Sequence, residues 1–405
     1  MNFTPKLINE MAAAQQEYMV SIRRHLHVNP ELSGKEFNTS KLVEEELTKL
    51  GIPYIKASAT GIIATLKGAK EGKTIVLRAD MDALPMEEDQ NNLSGKKVCC
   101  SAVPNVTHTC GHDAHTAMLL GTARALSAVK DSLEGTVIFC FEDGEEICIG
   151  NNYNIHQGAG AIIHALKDTK IDSCYAIHVY VGLPSGKICV DAGPRMAGIS
   201  DFEVEFTGKG GHGSRPDQAI SPIFAAAYTL TNLANSWVNE IDVAKTVTLG
   251  VGFLNGGQKF NIIPETARFG GSMRFFDLEE GKKAAKALER IIRLSAEMHR
   301  CTITHFDLGF MSSCINDSHY AERAQKAIGA VLGEDAVVHN EPWFGSESFS
   351  FYLKTWPGVL AHLGINNPEK GIGALHHNPK FDVDEDVMPL GVASFIAYTL
   401  EVLHG

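Results

Sequence analysis

Apolar residues fall along this chain in two rhythms. Short, nearly continuous apolar runs occupy positions 61–66, 74–80, 136–141 and 174–177. Runs of that length and continuity suit strands buried on both faces, as in a parallel sheet. Segments with helical spacing separate them. Thr4 and Pro5 read as an N-cap and a first helical residue, and that helix is expected to reach about His27 and stop before Asn29-Pro30. A second helix is expected over about 40–50, with Gly51 as its stop. A third is expected over about 115–129. Strands spaced by helices predict an α/β domain with a mixed, mainly parallel sheet.

The texture changes near Gly193-Pro194. Positions 201–207 alternate cleanly, with Phe202, Val204 and Phe206 on one face, as in a sheet with one solvated side. Helical spacing over about 222–237 and 279–298 lies among strand-like runs at 246–254, 266–276 and 301–308. The order β-α-β-β-α-β is that of a ferredoxin-like unit. The first texture then resumes with a helix near 319–331. These shifts predict a discontinuous α/β domain, 1–190 and 309–405, carrying an inserted α+β ferredoxin-like domain, 191–308.

Composition narrows the function. At 405 residues the chain suits two domains, and its net charge of −12 argues against nucleic acid or a membrane surface as partner. No apolar run is read as reaching the ~20 residues that span a bilayer. The first residues show no basic region followed by an apolar stretch. Nine cysteines without framework spacing read as reduced thiols. A cytoplasmic protein is expected.

The densest chemistry lies in His108-Thr109-Cys110-Gly111-His112-Asp113-Ala114-His115. Cys110 and His112 are two apart, so an extended turn would let both reach one ion. A thiolate and an imidazole suit borderline metals such as zinc or manganese. Asp113 is placed to orient a ligating imidazole from behind. Further donors lie elsewhere: Asp80, the pair Glu145-Glu146 and His178 follow apolar runs, and His376 beside His377 opens a loop. Sites in open α/β sheets lie at the carboxyl ends of the strands, so these residues are expected to converge on Cys110. Paired glutamates beside a metal divide two tasks, one ligating and one moving a proton.

Two other motifs carry weaker signals. Gly208-Lys209-Gly210-Gly211-His212-Gly213 lacks the spacing of a dinucleotide loop and reads as a turn delivering His212 to a site. Asn261 and Arg274 offer an amide and a guanidinium for a substrate carboxylate, or belong simply to strands.

Together these residues resemble the M20 family of metallo-aminoacylases and peptidases, in its amidohydrolase branch of N-acyl-amino-acid hydrolases. The matching pieces are 23–32, Arg78-Ala79-Asp80-Met81-Asp82-Ala83-Leu84-Pro85, the Cys110 motif, Glu145-Glu146, Ile177-His178-Val179, 208–216, Ser346-Glu347-Ser348-Phe349 and 376–382. The resemblance implies two divalent ions per subunit, zinc or manganese, with cobalt or nickel as alternatives. Cys110 would bridge them, and His112, Glu146, His178 and His376 would complete the ligands. It implies Glu145 as general base, and Asp80 and Asp113 as supporting residues behind the ligands. It also implies a homodimer or higher homo-oligomer in which His212 reaches the partner's site. Two departures stand out. Glu142-Asp143-Gly144 replaces the usual Gln-Pro-Ala, and 147–160 is longer than the usual connection. His376 is taken as the last ligand from its place in the motif.

The expectation is a metal-dependent amidohydrolase that cleaves N-acyl amino acids or small dipeptides with a metal-activated water. The alternatives are a hydrolase with Cys110 as nucleophile, and a metal- or peptide-binding protein without catalysis.

Overall fold

A computed structural model of the chain describes residues 2–147 and 154–405. The chain opens on three helices, α1 (Pro5–Ala13), α2 (Gln16–Val28) and α3 (Phe37–Lys49). The single helix expected to about His27 is thus two. The break falls at Ala14-Gln15, where Gln15 Nε2 turns back to the Met11 carbonyl, 3.1 Å away, and satisfies a last-turn acceptor. Strands β1 (Tyr54–Lys56), β2 (Ile62–Lys67) and β3 (Lys70–Asp80) follow, then α4 (His112–Ser127), β4 (Glu134–Glu142), α5 (Gly158–Ala165) and β5 (Ser173–Pro184). Of the long connection expected at 147–160, residues 148–153 lie outside the described residues.

The next elements are β6 (Ile188–Cys189), β7 (Gly193–Met196), β8 (Gly198–Thr207), β9 (Gly211–His212), α6 (Pro222–Glu240), β10 (Val247–Gly256), β11 (Ile262–Ile263), β12 (Thr266–Phe275), α7 (Leu278–Met298) and β13 (Thr302–Leu308). The chain ends on β14 (Cys314–Asn316), α8 (Ser318–Leu332), α9 (Phe349–Thr355), β15 (Gly358–Asn366) and α10 (Met388–His404).

The large sheet has the order β1-β2-β4-β3-β5-β15-β6. Its centre, β4-β3-β5-β15, is parallel, and its edges are antiparallel. Successive side chains of a strand point to opposite faces, so the runs that looked continuously apolar divide between two cores. Ile62, Ala64, Ile75 and Leu77 enter the core shared with α4, α8 and α10. Ile63, Val76, Ile138 and Cys140 enter the core shared with α5 and α9. The sheet is therefore sandwiched between helices, and the parallel strands end on one side. Contrary to the reading of the apolar runs, the segment Glu385–His404 is long and apolar enough to cross a membrane; 78% of its 18-residue apolar window is buried in the protein, as in a core helix.

Residues 198–308 build a second sheet, β10-β12-β8-β13, with every pair antiparallel. Phe202, Val204 and Phe206 pack from β8 into a separate core with α6 and α7. The strand order is that of a ferredoxin-like fold. β7 pairs with β14, so the chain enters and leaves this unit along adjacent strands. β10 lies at the sheet edge and exposes Val251, Phe253 and Leu254.

Candidate active site

The Cys110 motif is a turn into a helix rather than an extended segment. Gly111 has φ +94° and precedes α4, which begins at His112. A Cβ at Gly111 would stand 2.4 Å from Val179 Cγ2, so both the backbone angle and the space demand glycine. This turn points His112 at Asp82, just past the end of β3, and Cys110 at His178, within β5. Cys110 Sγ lies 3.5 Å from His178 Nε2. His178 Nδ1 donates to the Val179 carbonyl at 2.7 Å, which leaves Nε2 as the unprotonated nitrogen facing the thiol. His112 Nδ1 meets Asp82 Oδ1 at 3.1 Å. Its Nε2 is buried without a hydrogen-bond partner among the described residues, 3.7 Å from Asp80 and 3.9 Å from Glu146.

Glu145 and Glu146 sit on a short turn after β4. Glu145 Oε1 accepts the Ser348 N–H at 2.8 Å. The Glu146 N–H donates to Asp82 Oδ2 at 2.9 Å, and its side-chain Oε1 lies 3.3 Å from His377 Nε2. Donor atoms of Cys110, His112 and His178 lie within 4.8 Å of one another, and so do those of Cys110, Glu146 and His377. Cys110 is common to both sets. A thiol, imidazoles and a carboxylate, with no hydrogen bond to His112 Nε2 or Glu146 Oε1 among the described residues, match the chemistry of a borderline divalent ion.

Electrostatics fit the same use. Burial pushes His178 well below the usual imidazole range, with His115 and His376 adding to it, so the ring is neutral, as a ligand must be. Burial pushes the Cys110 thiol well up, as does Glu146, while His112 opposes; a cation would reverse that direction. Burial likewise raises the Glu145 carboxyl well above its usual range, reinforced by Glu347 and Glu146 and opposed by His112 and Arg78.

A cavity of about 220 Å³ opens onto these groups. Cys110, Glu145, Glu146, His178, His376 and His377 line it together with Met196, Met311, Trp343, Gly345, Ser346 and Arg274. Arg274 comes from β12 of the second sheet and hydrogen-bonds Ser346 Oγ. His376 Nε2 accepts the Val181 N–H at 3.3 Å, and its ring packs on Trp343.

Other expected site residues stand elsewhere. Asp113 does not orient a candidate ligand. It takes Arg23 Nε and His27 Nδ1 of α2, both at 2.8 Å; Asp82 holds His112 instead. Asp80 takes His115 Nδ1 at 2.6 Å and Arg78 Nη1 at 2.8 Å. Because the Val179 N–H occupies His115 Nε2 at 2.9 Å, both nitrogens of that ring are engaged. His212 is exposed on β9, bonded to Ser214 Oγ at 2.8 Å. β9 pairs with β11, and the Gly213 N–H donates to the Asn261 carbonyl at 2.9 Å. His212 and Asn261 thus share one ribbon, and neither lines the cavity. The apolar wall of Met196, Met311 and Trp343 carried no signal in the sequence, since those residue types serve any core. Asp82 did carry one, two residues past Asp80 beyond a buried strand.

The sequence profile of peptidase family M20/M25/M40 matches residues 76–401. The chain belongs to this family. An IAA-amino acid hydrolase of Arabidopsis thaliana is 34% identical to this M20 enzyme over 93% of this chain and 84% of its own. An N-acetylcysteine deacetylase of Bacillus subtilis is 32% identical over 95% and 97%. A solved dinuclear metal-binding M20 peptidase from Bacillus subtilis superposes with a TM-score of 0.79 at 30% identity, covering 97% of this chain and 99% of its own. The M20 hydrolase described here shares the mixed α/β architecture of that structure.

Proposed function

We propose that the chain is a metal-dependent amidohydrolase acting on N-acyl amino acids or small dipeptides. The observation that carries this reading is the pair of donor sets sharing Cys110 beside a cavity that also holds Glu145. Cys110, His112 and His178 would hold one ion, and Cys110, Glu146 and a C-terminal histidine the other. We assign that histidine to His377. Its Nε2 faces Glu146 at 3.3 Å and joins the Cys110 and Glu146 donors, whereas among the described residues His376 joins no such set. Zinc or manganese fits these donors, as do cobalt and nickel.

Divalent ions bound here supply Lewis-acid polarisation of an amide carbonyl and lower the pKa of water at the site. Glu145 takes a proton from the attacking water and returns it to the leaving amine nitrogen. Arg274 pairs with the substrate carboxylate through its guanidinium. Met196, Met311 and Trp343 receive the apolar part and exclude water. His212 and Asn261 act on the site of a second subunit. That subunit would pair along the β10 edge, where Val251, Phe253 and Leu254 are exposed.

The Cys110–His178 contact also permits a cysteine nucleophile with a histidine base. Burial disfavours the thiolate that this reading needs. A panel of N-acetyl, N-benzoyl and dipeptide substrates, assayed before and after chelation, separates the two. Activity lost to the chelator and restored by Mn²⁺, Zn²⁺, Co²⁺ or Ni²⁺ supports the metal reading. Activity untouched by complete metal removal overturns it.

A further inference from the structure

Beside Glu145 a buried ion cluster gathers on Arg78, and one of its carboxylates, Asp80, lies 3.7 Å from His112 Nε2. The Arg78 side chain is about 1% exposed, and all three guanidinium nitrogens are engaged. Nε meets Glu142 Oε2 at 2.8 Å, Nη1 meets Asp80 Oδ2 at 2.8 Å, and Nη2 meets Ser348 Oγ at 2.8 Å. Nη2 also lies 2.9 Å from Glu347 Oε1. One cation thus faces three buried carboxylates. So much uncompensated charge is a poor device for stability alone, which raises the question of what it holds in place.

Ser348 is the answer the geometry gives. It is fully buried, and its two polar groups point in different directions. Its Oγ donates to Glu142 Oε1 at 2.6 Å and accepts from Arg78. Its backbone N–H donates to Glu145 Oε1 at 2.8 Å. The hydroxyl therefore anchors the residue whose amide grips the base. With Oε1 held, Oε2 is the oxygen of Glu145 left for proton transfer. The same guanidinium reaches Asp80, which holds His115 at 2.6 Å. The His115 ring in turn accepts the N–H of Val179, next to His178.

We propose that Ser348, clamped by Glu142 and Arg78, is the positioning residue for Glu145. This rests on Glu145 being the general base. A base must sit within about 0.5 Å of its productive place, and small misplacements are expensive in rate. Ser348→Ala keeps the amide but removes the anchor. Glu142→Gln keeps an acceptor for Ser348 but removes the ion pair with Arg78.

The test uses the metal-loaded full-length enzyme and an N-acetyl amino acid from the panel. Ser348→Ala should lower kcat by ~10–100-fold, with KM and metal content within about two-fold of wild type. In a Glu145→Gln background the same change should lower the residual rate no further, because coupled residues fail to add. Should Ser348→Ala not fold, Ser348→Cys, which keeps the amide but weakens the hydrogen bonds made by the hydroxyl, carries the same comparison. An unchanged kcat, or an equal drop in both backgrounds, overturns the proposal and leaves Ser348 a structural residue. A Glu145→Gln enzyme that keeps a near-normal rate overturns the base assignment and this inference with it. An inactive Glu145→Gln beside an unaffected Ser348→Ala overturns this inference alone.

Discussion

His112 gives its Nδ1 to Asp82 Oδ1, 3.1 Å away, and this contact decides which nitrogen of the ring is left for a metal. The Asp82 oxygen that does not touch His112 accepts the amide of Glu146 at 2.9 Å. A single carboxylate thus orients one candidate ligand and sets the backbone of another. Support of this kind from outside the ligand shell is what fixes an imidazole's tautomer.

Glu145→Gln should abolish turnover while leaving metal content intact. Loss of a general base alone costs ~10²–10⁴-fold. Metal analysis by mass spectrometry beside a rate assay checks both halves. A near-normal rate would show that Glu145 is not the base.

His377→Ala should lower metal occupancy and activity together, and Cys110→Ser should do so more severely because Cys110 belongs to both donor sets. His376→Ala should spare metal content and act on rate or KM. The pair of histidine variants, titrated with Mn²⁺ and Zn²⁺, decides between the neighbours. Full occupancy in His377→Ala with depletion in His376→Ala would return the ligand to His376.

Stability should carry a signature of Glu36. Burial, with Asp82 nearby, raises this carboxyl from 4.5 to about 7. Its Oε1 accepts the N–H groups of Gly34 and Gly144, so it ties a loop to the turn that carries the glutamate pair. The native state keeps this proton up to about pH 7, whereas the unfolded chain releases it near 4.5. Between those values the native state binds more protons, so this group's contribution to stability falls as pH rises, by up to ~3 kcal/mol. Glu36→Gln removes the titration. Its Tm relative to wild type should be more favourable at about pH 8 than at about pH 5. A constant difference would mean that Glu36 ionises normally.

If the chain forms the dimer proposed above, His212 should be needed in trans. Homodimers of His212→Ala and of Glu145→Gln should each be nearly inactive. After subunit exchange, a mixed dimer has one site with both changes and one with neither, so random mixing should restore roughly a quarter of wild-type sites. Confirmed exchange without regained activity would place His212 in its own subunit's site or outside catalysis.

Local pattern alone determined a good deal about this protein. The apolar runs specified the central strands, and alternation at Phe202, Val204 and Phe206 specified a sheet with one buried face. The Cys110–His112 spacing and the Glu145-Glu146 pair pointed to metal chemistry, because a thiol and an imidazole two residues apart suit a borderline ion, although Asp113 and His115 of the same run make structural contacts instead. These are signals of composition and period, which a chain carries before it folds. Tertiary structure decided the pairings. Asp113, adjacent to His112 in sequence, is turned by α4 toward Arg23 and His27, while Asp82, distant in sequence, holds the His112 ring. His376 and His377 are adjacent, yet a backbone at φ +58° directs the second toward Glu146 while the first packs on Trp343. Ser348 meets Glu145 across 203 positions. Such contacts depend on how β3 and β4 end, and on how β5 passes, beside α4 and α9. That geometry is a property of the packed sheet and helices, and no single segment contains it.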